Sequence, residues 1–404
     1  MSKWDRQAFM SALTVCFCWL VAVCYALYIL SYPPRYRKVS ILFLACPLAY
    51  AFMHHTSITD WYNVNDTFGR FLYIWFAHMS NIVCIQQYSP TVVKENDGWR
   101  TRLRQACKVL FVIKPPATDT YTPPARPNHG YTRFQFLVYH AGKAALYFAF
   151  SQAWDYYYYN HSLRSWSYEP NPSFFRRLPA SFNADELLYR AEALTDWTLI
   201  SLFFYESIHS FFAVIMVLVG LDGPEEWELS LCGSLMEAYS VRRYWGKHWH
   251  SYIRFSFTSH IKLLTRRLLR MPSGLARRLV ENTLVFAMSG LAHSVVRWAQ
   301  DPDTDVWCIA VWYTAQMLPI VIEGMVGHLW RNLRKRLGVR ADDKRVNAME
   351  MVVGYLWTAG WFAWSIPKYI YARNTWSDAK YRKKHALWLA KNDLDATEFL
   401  ANST

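Results

Sequence analysis

Residues 7–34, QAFMSALTVCFCWLVAVCYALYILSYPP, are 28 consecutive positions between Arg6 and Arg35 without a charged side chain. About 20 apolar residues suffice for a helix to cross the hydrocarbon core of a bilayer, so this stretch alone predicts a membrane protein. Lys3 and Arg6 stand in front of it as they would in front of a secretory signal. The apolar part, Leu13 to Leu30, is longer than the roughly 7–15 residues of a signal's apolar region. The expectation is a retained first helix.

Composition agrees. Of 404 residues, 53% are hydrophobic and 18% aromatic, while only 18% are charged, against roughly a quarter in ordinary soluble domains. A disordered chain would be poor in aromatics and rich in charge. The mean hydropathy of −0.03 understates membrane character, because that scale scores the 20 Trp and 27 Tyr as polar although such rings favour the membrane interface. The formal charge of +14 is dispersed over connections beside apolar runs, where the membrane explains it, and nucleic-acid binding is not expected. The eight cysteines form no CxxC pair and no His/Cys ligand spacing, so neither a disulfide framework nor a metal site is expected.

Further runs extend the pattern. Lys38 to Asp60 and Arg70 to Lys94 enclose charge-free stretches interrupted by Pro47, His54, His55 and His78. Phe134–Trp154 carries only Lys143, Trp197–Leu221 carries Glu206 and His209, and Leu279–Trp298 has Glu281 and Arg297 near its ends. Val306–Trp330 contains Glu323, and Met351–Tyr369 precedes a basic tail with Lys383 and Lys384. The fold class expected is all-α, a polytopic transmembrane bundle of about eight spans forming one domain over residues 1–404. Ionisable groups inside spans are costly unless they face the bundle interior or one another, so Lys143, Glu206 and Glu323 are either site residues or packed polar pairs, the second being the commoner case.

Basic connections orient the bundle. Arg35-Tyr36-Arg37-Lys38, the stretch Lys94 to Lys114, the stretch Arg242 to Arg278 and the stretch Arg331 to Arg345 fall on one side by alternation, which the positive-inside rule makes cytosolic. The opposite side receives Asp60, Asp66, Asp185, Glu186, Asp301, Asp303 and Asp305, with the glycosylation sequons at Asn65, Asn160 and Asn402. Endoplasmic reticulum is the membrane expected for such a multi-pass chain, although an even number of spans would leave the basic tail in the lumen. A Pro-rich stretch from Lys114 to Pro127 reads as an irregular loop. Lys262, Arg266 and Arg270 recur every four residues beside Ile261, Leu264 and Leu268, which predicts a basic amphipathic helix lying in the membrane surface.

Chemistry concentrates between residues 224 and 293. Pro224-Glu225-Glu226-Trp227 is followed by Gly233-Ser234, Glu237-Ala238-Tyr239-Ser240, Arg242-Arg243-Tyr244-Trp245-Gly246-Lys247-His248-Trp249-His250 and, in the next span, Ser289-Gly290-Leu291-Ala292-His293. Residue types alone single out histidines in apolar surroundings, where a neutral imidazole is a candidate general base and a histidine satisfied by a neighbour is the commoner case. The stretch Tyr244 to His250 resembles the FWGxxWH signature of wax-synthase-like membrane-bound O-acyltransferases, and Ser289 to His293 resembles that family's SGxxH element. Within the family the chain looks most like fungal O-acetyltransferases of terpenoid and polyketide biosynthesis. Tyr244 departs from the usual Phe, and His248 stands where a basic Arg is frequent.

That resemblance implies a membrane-embedded acyl-CoA-dependent O-acyltransferase, with acetyl-CoA as co-substrate, no permanently bound cofactor and a hydrophobic alcohol as acceptor. It makes His293 the general base that takes the acceptor's proton and His250 the residue that steadies the thioester carbonyl, with His248 the other histidine open to that supporting role. Transfer would be direct, with no serine nucleophile, so Ser289 is a packing or supporting group. Arg242, Arg243, Lys247 and Arg254 would meet the CoA phosphates or anionic lipid, and Trp245 and Trp249 would wall the acyl tunnel or sit in the interface belt. A long-chain wax or sterol ester synthase is the related alternative. A transporter or lipid-binding protein is the unrelated one, and it would show repeat symmetry and broken helices at matching positions, which the sequence lacks.

Overall fold

In the computed structural model the opening run forms α1, Lys3–Ser31, and ends as the chain meets Pro33 and Pro34, which lack the N–H a continuing helix needs. The structure describes residues 3–59, 62–90, 98–111, 130–161, 184–249, 253–300, 307–340 and 342–391. The remaining helices are α2 (Arg37–Met53), α3 (Tyr62–Ser80), α4 (Trp99–Leu110), α5 (Arg133–His161), α6 (Ala184–Thr195), α7 (Ser201–Leu218), α8 (Val241–Arg243), α9 (Arg254–Lys262), α10 (Leu275–Gln300), α11 (Trp307–Ala315), α12 (Met317–Arg336) and α13 (Lys344–Lys391). Among the described residues there is no strand.

Four helical stretches, Ala8–Ser31, Ala184–Leu218, Leu275–Gln300 and Trp307–Arg336, are long and apolar enough to cross a membrane. Only about a third of each apolar window is buried (28% to 33%), so large side chains such as Phe17, Leu20, Leu218 and Leu329 remain on the outside. A soluble monomer does not carry that much contiguous apolar surface; a bilayer covers it. The other four expected spans correspond to α2, α3, α5 and the first part of α13, which are shorter or more polar. α2 has 17 residues and an internal Pro47, and α3 carries Asp66 and Arg70.

The N-terminal core is built by α1, α2 and α3 with one face of α4: Ala22, Ala26, Leu44, Leu48, Leu72, Trp75 and Val109 pack together. The sequence reading left α4 within a connection. It is a basic amphipathic helix, held at its apolar end by Trp75 Nε1, which donates to Leu110 O (2.7 Å), and by His78 Nε2, which donates to Val109 O (2.8 Å). Its basic face reaches the end of α7, where Arg104 donates to the carbonyls of Gly220 and Leu221 and Lys108 pairs with Glu226 at 2.6 Å. Gly220 and Leu221 lie in the turn beyond α7; Arg133 serves the last carbonyls of the helix itself, Val217 O and Leu218 O, groups that a helix C-terminus leaves without intrahelical partners.

α5 packs along α7, and the charges predicted to be costly meet there. Lys143 Nζ lies 2.7 Å from Glu206 Oε2, and Glu206 Oε1 accepts the backbone N–H of Cys232 at 2.7 Å. α9 runs into a π-helical stretch, Leu263–Leu268. Here Arg266 makes a two-pronged bond to Glu281 (2.7 and 3.0 Å) rather than extending freely like Lys262, while Leu268, Leu269 and Leu275 stay exposed. The Pro-rich loop, Asp60, Lys94, Asp301, Asp303, Asp305 and Asn402 lie outside the described residues.

One expectation is overturned. Asn65 is buried, and its side-chain amide donates to the carbonyls of Thr59 (2.6 Å) and Thr56 (3.3 Å). A glycosylated asparagine must present that nitrogen to solvent, so Asn65 is not a glycan acceptor in this fold.

Candidate active site

The signature stretch is positioned before any of its side chains acts. Ser240 caps α8, accepting from the N–H of Arg243 at 3.1 Å. Glu323, on α12, accepts from the N–H of Val241 (2.6 Å) and of Arg242 (3.0 Å). The first three helical N–H groups, which a helix start leaves orphaned, are all satisfied, two of them by a carboxylate that also suits the positive end of the helix. Glu323 is therefore a cap, and Trp357 Nε1 adds a third donor at 2.9 Å. Glu323→Ala is expected to cost about 2–3 kcal/mol, the scale of hydrogen bonds to a charged group, with Glu323→Gln milder; thermal unfolding in detergent measures both.

After α8 the chain widens into a π-helical turn, Tyr244–His248, and is clasped to the preceding loop. Gly233 N–H donates to His248 O (2.8 Å), and His248 Nδ1 donates to Gly233 O (2.7 Å). A Cβ at Gly233 would stand 2.0 Å from Lys247 O, so only glycine allows the clasp. His248 is fully buried, and burial pushes its imidazole pKa down, against the raising effect of its bonds to Gly233 and Ser234. This is the geometry of a structural histidine rather than of a phosphate-binding one. His250 lies outside the described residues.

Tyr244, where the resemblance expects Phe, uses its ring as Phe would. It lies 4.6 Å from the Phe362 ring and stacks on Trp249 at 5.6 Å. Burial pushes its phenol pKa well up, and its hydroxyl finds no hydrogen-bond partner. An unsatisfied buried hydroxyl costs about 1–3 kcal/mol. Tyr244→Phe is expected to leave activity intact and raise stability by about 1 kcal/mol, read as a higher unfolding temperature.

Trp245 and Trp249 form an aromatic box with residues the sequence reading did not name. Trp197, in the π-helical turn between α6 and α7, stacks on Trp249 (4.9 Å, 9°) and on Phe362 (5.8 Å, 29°) and meets Trp245 and Trp312 edge-on. Gln316, buried at the break between α11 and α12, accepts from Trp361 Nε1 at 3.0 Å and Trp245 Nε1 at 3.4 Å. Pro319 explains the break: it offers no N–H to the carbonyl of Ala315, and its ring clashes there, so α11 ends at that residue. A proline three residues after a glutamine inside an apolar run was the available signal.

His293 reaches this box through Tyr313. Its ring stacks on Tyr313 (4.6 Å, 14°), and its Nε2 lies 2.8 Å from the Tyr313 hydroxyl; Tyr313 in turn lies 6.3 Å from Trp245. Close behind, Arg70 of α3 holds Asp66 and reaches Tyr205 OH at 3.5 Å. Asp66 also pairs with Arg297 at 3.4 Å, one helical turn beyond His293. These charges fasten α3 and α7 to α10 and leave a polar lining in an otherwise aromatic interior. Ser289 is buried on α10.

The four cations proposed for phosphate divide. Arg243 and Lys247 converge on Glu237, Lys247 at 3.3 Å, and Arg243 also covers the Tyr239 ring at 4.3 Å. Arg254 donates to Gly246 O at 2.8 Å. Arg242 has an exposed side chain beside them.

In sequence the chain is similar to known acetyltransferases. The chain is 34% identical over 190 residues to acetyltransferase nanB of Aspergillus nanangensis, covering 46% of this chain and 44% of that protein. It is 28% identical over 229 residues to acetyltransferase atnC of an Arthrinium species (54% and 51%) and 30% identical over 169 residues to acetyltransferase TRI7 of Fusarium sporotrichioides (40% and 37%). The chain thus spans about half the length, or less, of these curated relatives. Residues 227–315, which hold the Gly233–His248 clasp, the signature tryptophans, His293 and Tyr313, match the Membrane bound O-acyl transferase family.

Proposed function

We propose that the protein is a membrane-embedded O-acyltransferase that moves an acetyl group from acetyl-CoA to a hydroxyl of a hydrophobic secondary metabolite, a terpenoid or a polyketide. The observation that carries this reading is His293, held on Tyr313 beside the signature tryptophans within the family-matched segment. Relatives named as acetyltransferases support the short donor.

In the proposed reaction the acceptor alcohol enters the aromatic box and gives its proton to His293 as its oxygen attacks the thioester carbonyl. The C–S bond then breaks, and the imidazolium returns the proton to the leaving CoA thiolate. His250 steadies the developing oxyanion, a task that gains strength where water is scarce. His248, committed to the clasp, is left out of that role. Arg242 and Arg254, with Arg243 and Lys247 where Glu237 shares them, face the CoA phosphates from the cytosolic side.

The chain is read as one domain of eight spans in the endoplasmic reticulum, with α2, α3, α5 and α13 crossing beside the four apolar helices. The segment Lys262 to Leu275 lies in the membrane surface, its exposed leucines in the acyl region and its arginines among headgroups. Asn160 is proposed as a lumenal acceptor for a glycan.

Deleting the gene and comparing extracted metabolites tests the activity: an acetate ester should disappear and its free alcohol accumulate. Competition between acetyl-CoA and palmitoyl-CoA separates this reading from a wax or sterol ester synthase, since preference for the long chain would move the assignment there.

A further inference from the structure

The Tyr313 hydroxyl lies 2.8 Å from Nε2 of the His293 ring. We propose that Tyr313 is the positioning residue of the transfer reaction: its phenol oxygen accepts from His293 Nε2–H, fixing the imidazole's plane and tautomer so that Nδ1 faces the acceptor alcohol. The proposal rests on the acyltransferase reading and names a component of it.

A histidine on a helix has two side-chain rotations and two tautomers, and a base competent in one of them is wasted in the others. The parallel stack at 4.6 Å and 14° holds the ring plane, and the 2.8 Å contact holds one nitrogen. With the phenol oxygen accepting from Nε2–H, as proposed, Nδ1 carries the lone pair. During transfer Nδ1 takes the alcohol proton, the alcohol oxygen bonds to the thioester carbon, the C–S bond breaks and the thiolate receives the same proton. Nε2–H stays on the imidazole throughout, and its bond to Tyr313 strengthens while the ring is positive, since a charged donor makes the stronger hydrogen bond.

The Ser-Gly-Leu-Ala-His element acquires a physical meaning from this pair. Gly290 and His293 are three residues apart and so share a helix face. A Cβ at Gly290 would stand 2.8 Å from Ala310 Cα, 2.9 Å from Ala310 O and 2.9 Å from Tyr313 Cβ. The glycine lets α10 and α11 approach closely enough for the tyrosine to reach the histidine, so the glycine and the tyrosine form a single device.

The bland reading is that Tyr313 merely fills the aromatic core, where its ring also meets Tyr369 and Trp312. Tyr313→Phe keeps those ring contacts and removes only the hydroxyl, so it separates the two. Full-length protein labelled with 15N-histidine, in lipid, gives tautomer-specific imidazole signals; His293→Gln identifies which belong to His293. The wild type should show one tautomer at His293, and Tyr313→Phe a mixture. Gly290→Ala, which keeps the hydroxyl but forces the helices apart, should give the same mixture, so that a poorly folding Tyr313→Phe does not leave the matter open. In acetyl transfer, Tyr313→Phe should lower kcat about tenfold or more with the acetyl-CoA KM unchanged. Identical His293 signals in wild type and both variants overturn the proposal. So does full kcat in Tyr313→Phe when His293→Gln is inactive, which leaves the acyltransferase reading standing; full activity in His293→Gln sinks that reading itself.

Discussion

Replacing His293 by alanine is expected to reduce acetyl transfer by about 10²- to 10⁴-fold, the usual contribution of a positioned general base, while acetyl-CoA still binds. The fold should survive the change. His293 is half-buried in α10, and its removal takes away the stack and hydrogen bond with Tyr313 and the edge contact with Tyr369, a loss of about 1–3 kcal/mol. The signature turn is held separately, by Glu323, Ser240 and the Gly233–His248 clasp. Donor binding, measured with labelled acetyl-CoA, and transfer should therefore come apart in this variant. Loss of both together would mean that His293 holds the fold rather than the proton.

The largest effect on stability is expected at Glu206. Its carboxylate is nearly inaccessible, as is the Lys143 ammonium it meets at 2.7 Å, and its other oxygen holds the Cys232 N–H next to the clasp glycine. Glu206→Ala strands a cation in an apolar interior and frees the loop that carries Gly233. Breaking a buried pair by removing one partner costs about 3–5 kcal/mol, enough to abolish accumulation of folded protein. A double variant, Lys143→Leu with Glu206→Leu, removes the stranded charge and should recover much of that loss, but not the bond from the Cys232 N–H. Thermal unfolding in detergent decides it: a single variant within about 1 kcal/mol of wild type would show that water reaches the pair.

The order of these helices was largely legible because apolar runs and their breakers act locally. Pro33 and Pro34 end α1, and the charge-free stretch before them is long enough to span whatever it packs against. Lys143 and Glu206 resolve as the packed pair that cost alone suggests, whereas Glu323 resolves as a helix cap. Contacts between distant elements were not legible. Nothing in the spacing of α10 and α11 says that the face bearing Gly290 and His293 meets the face bearing Tyr313, and Trp197 lies about fifty residues upstream of the tryptophans it joins. α4 was hidden because its basic residues outweigh its apolar stripe. Asn65 was misread because a sequon is three residues long, while burial is decided by Thr56 and Thr59 on the preceding turn. The resemblance puts His250 on the signature histidine, and the part His248 plays in clasping Gly233 was not legible because it depends on a loop fifteen residues upstream.

The central claim is that this chain transfers acetyl from CoA to an alcohol with His293 as base. Its most direct test is the formation of organic-extractable labelled ester by membranes containing the protein, given acetyl-labelled acetyl-CoA and alcohols extracted from the deletion strain. The account predicts label in a single ester with wild-type membranes and none above background with His293→Ala. Equal labelling by the two membranes, or none by either, would contradict it.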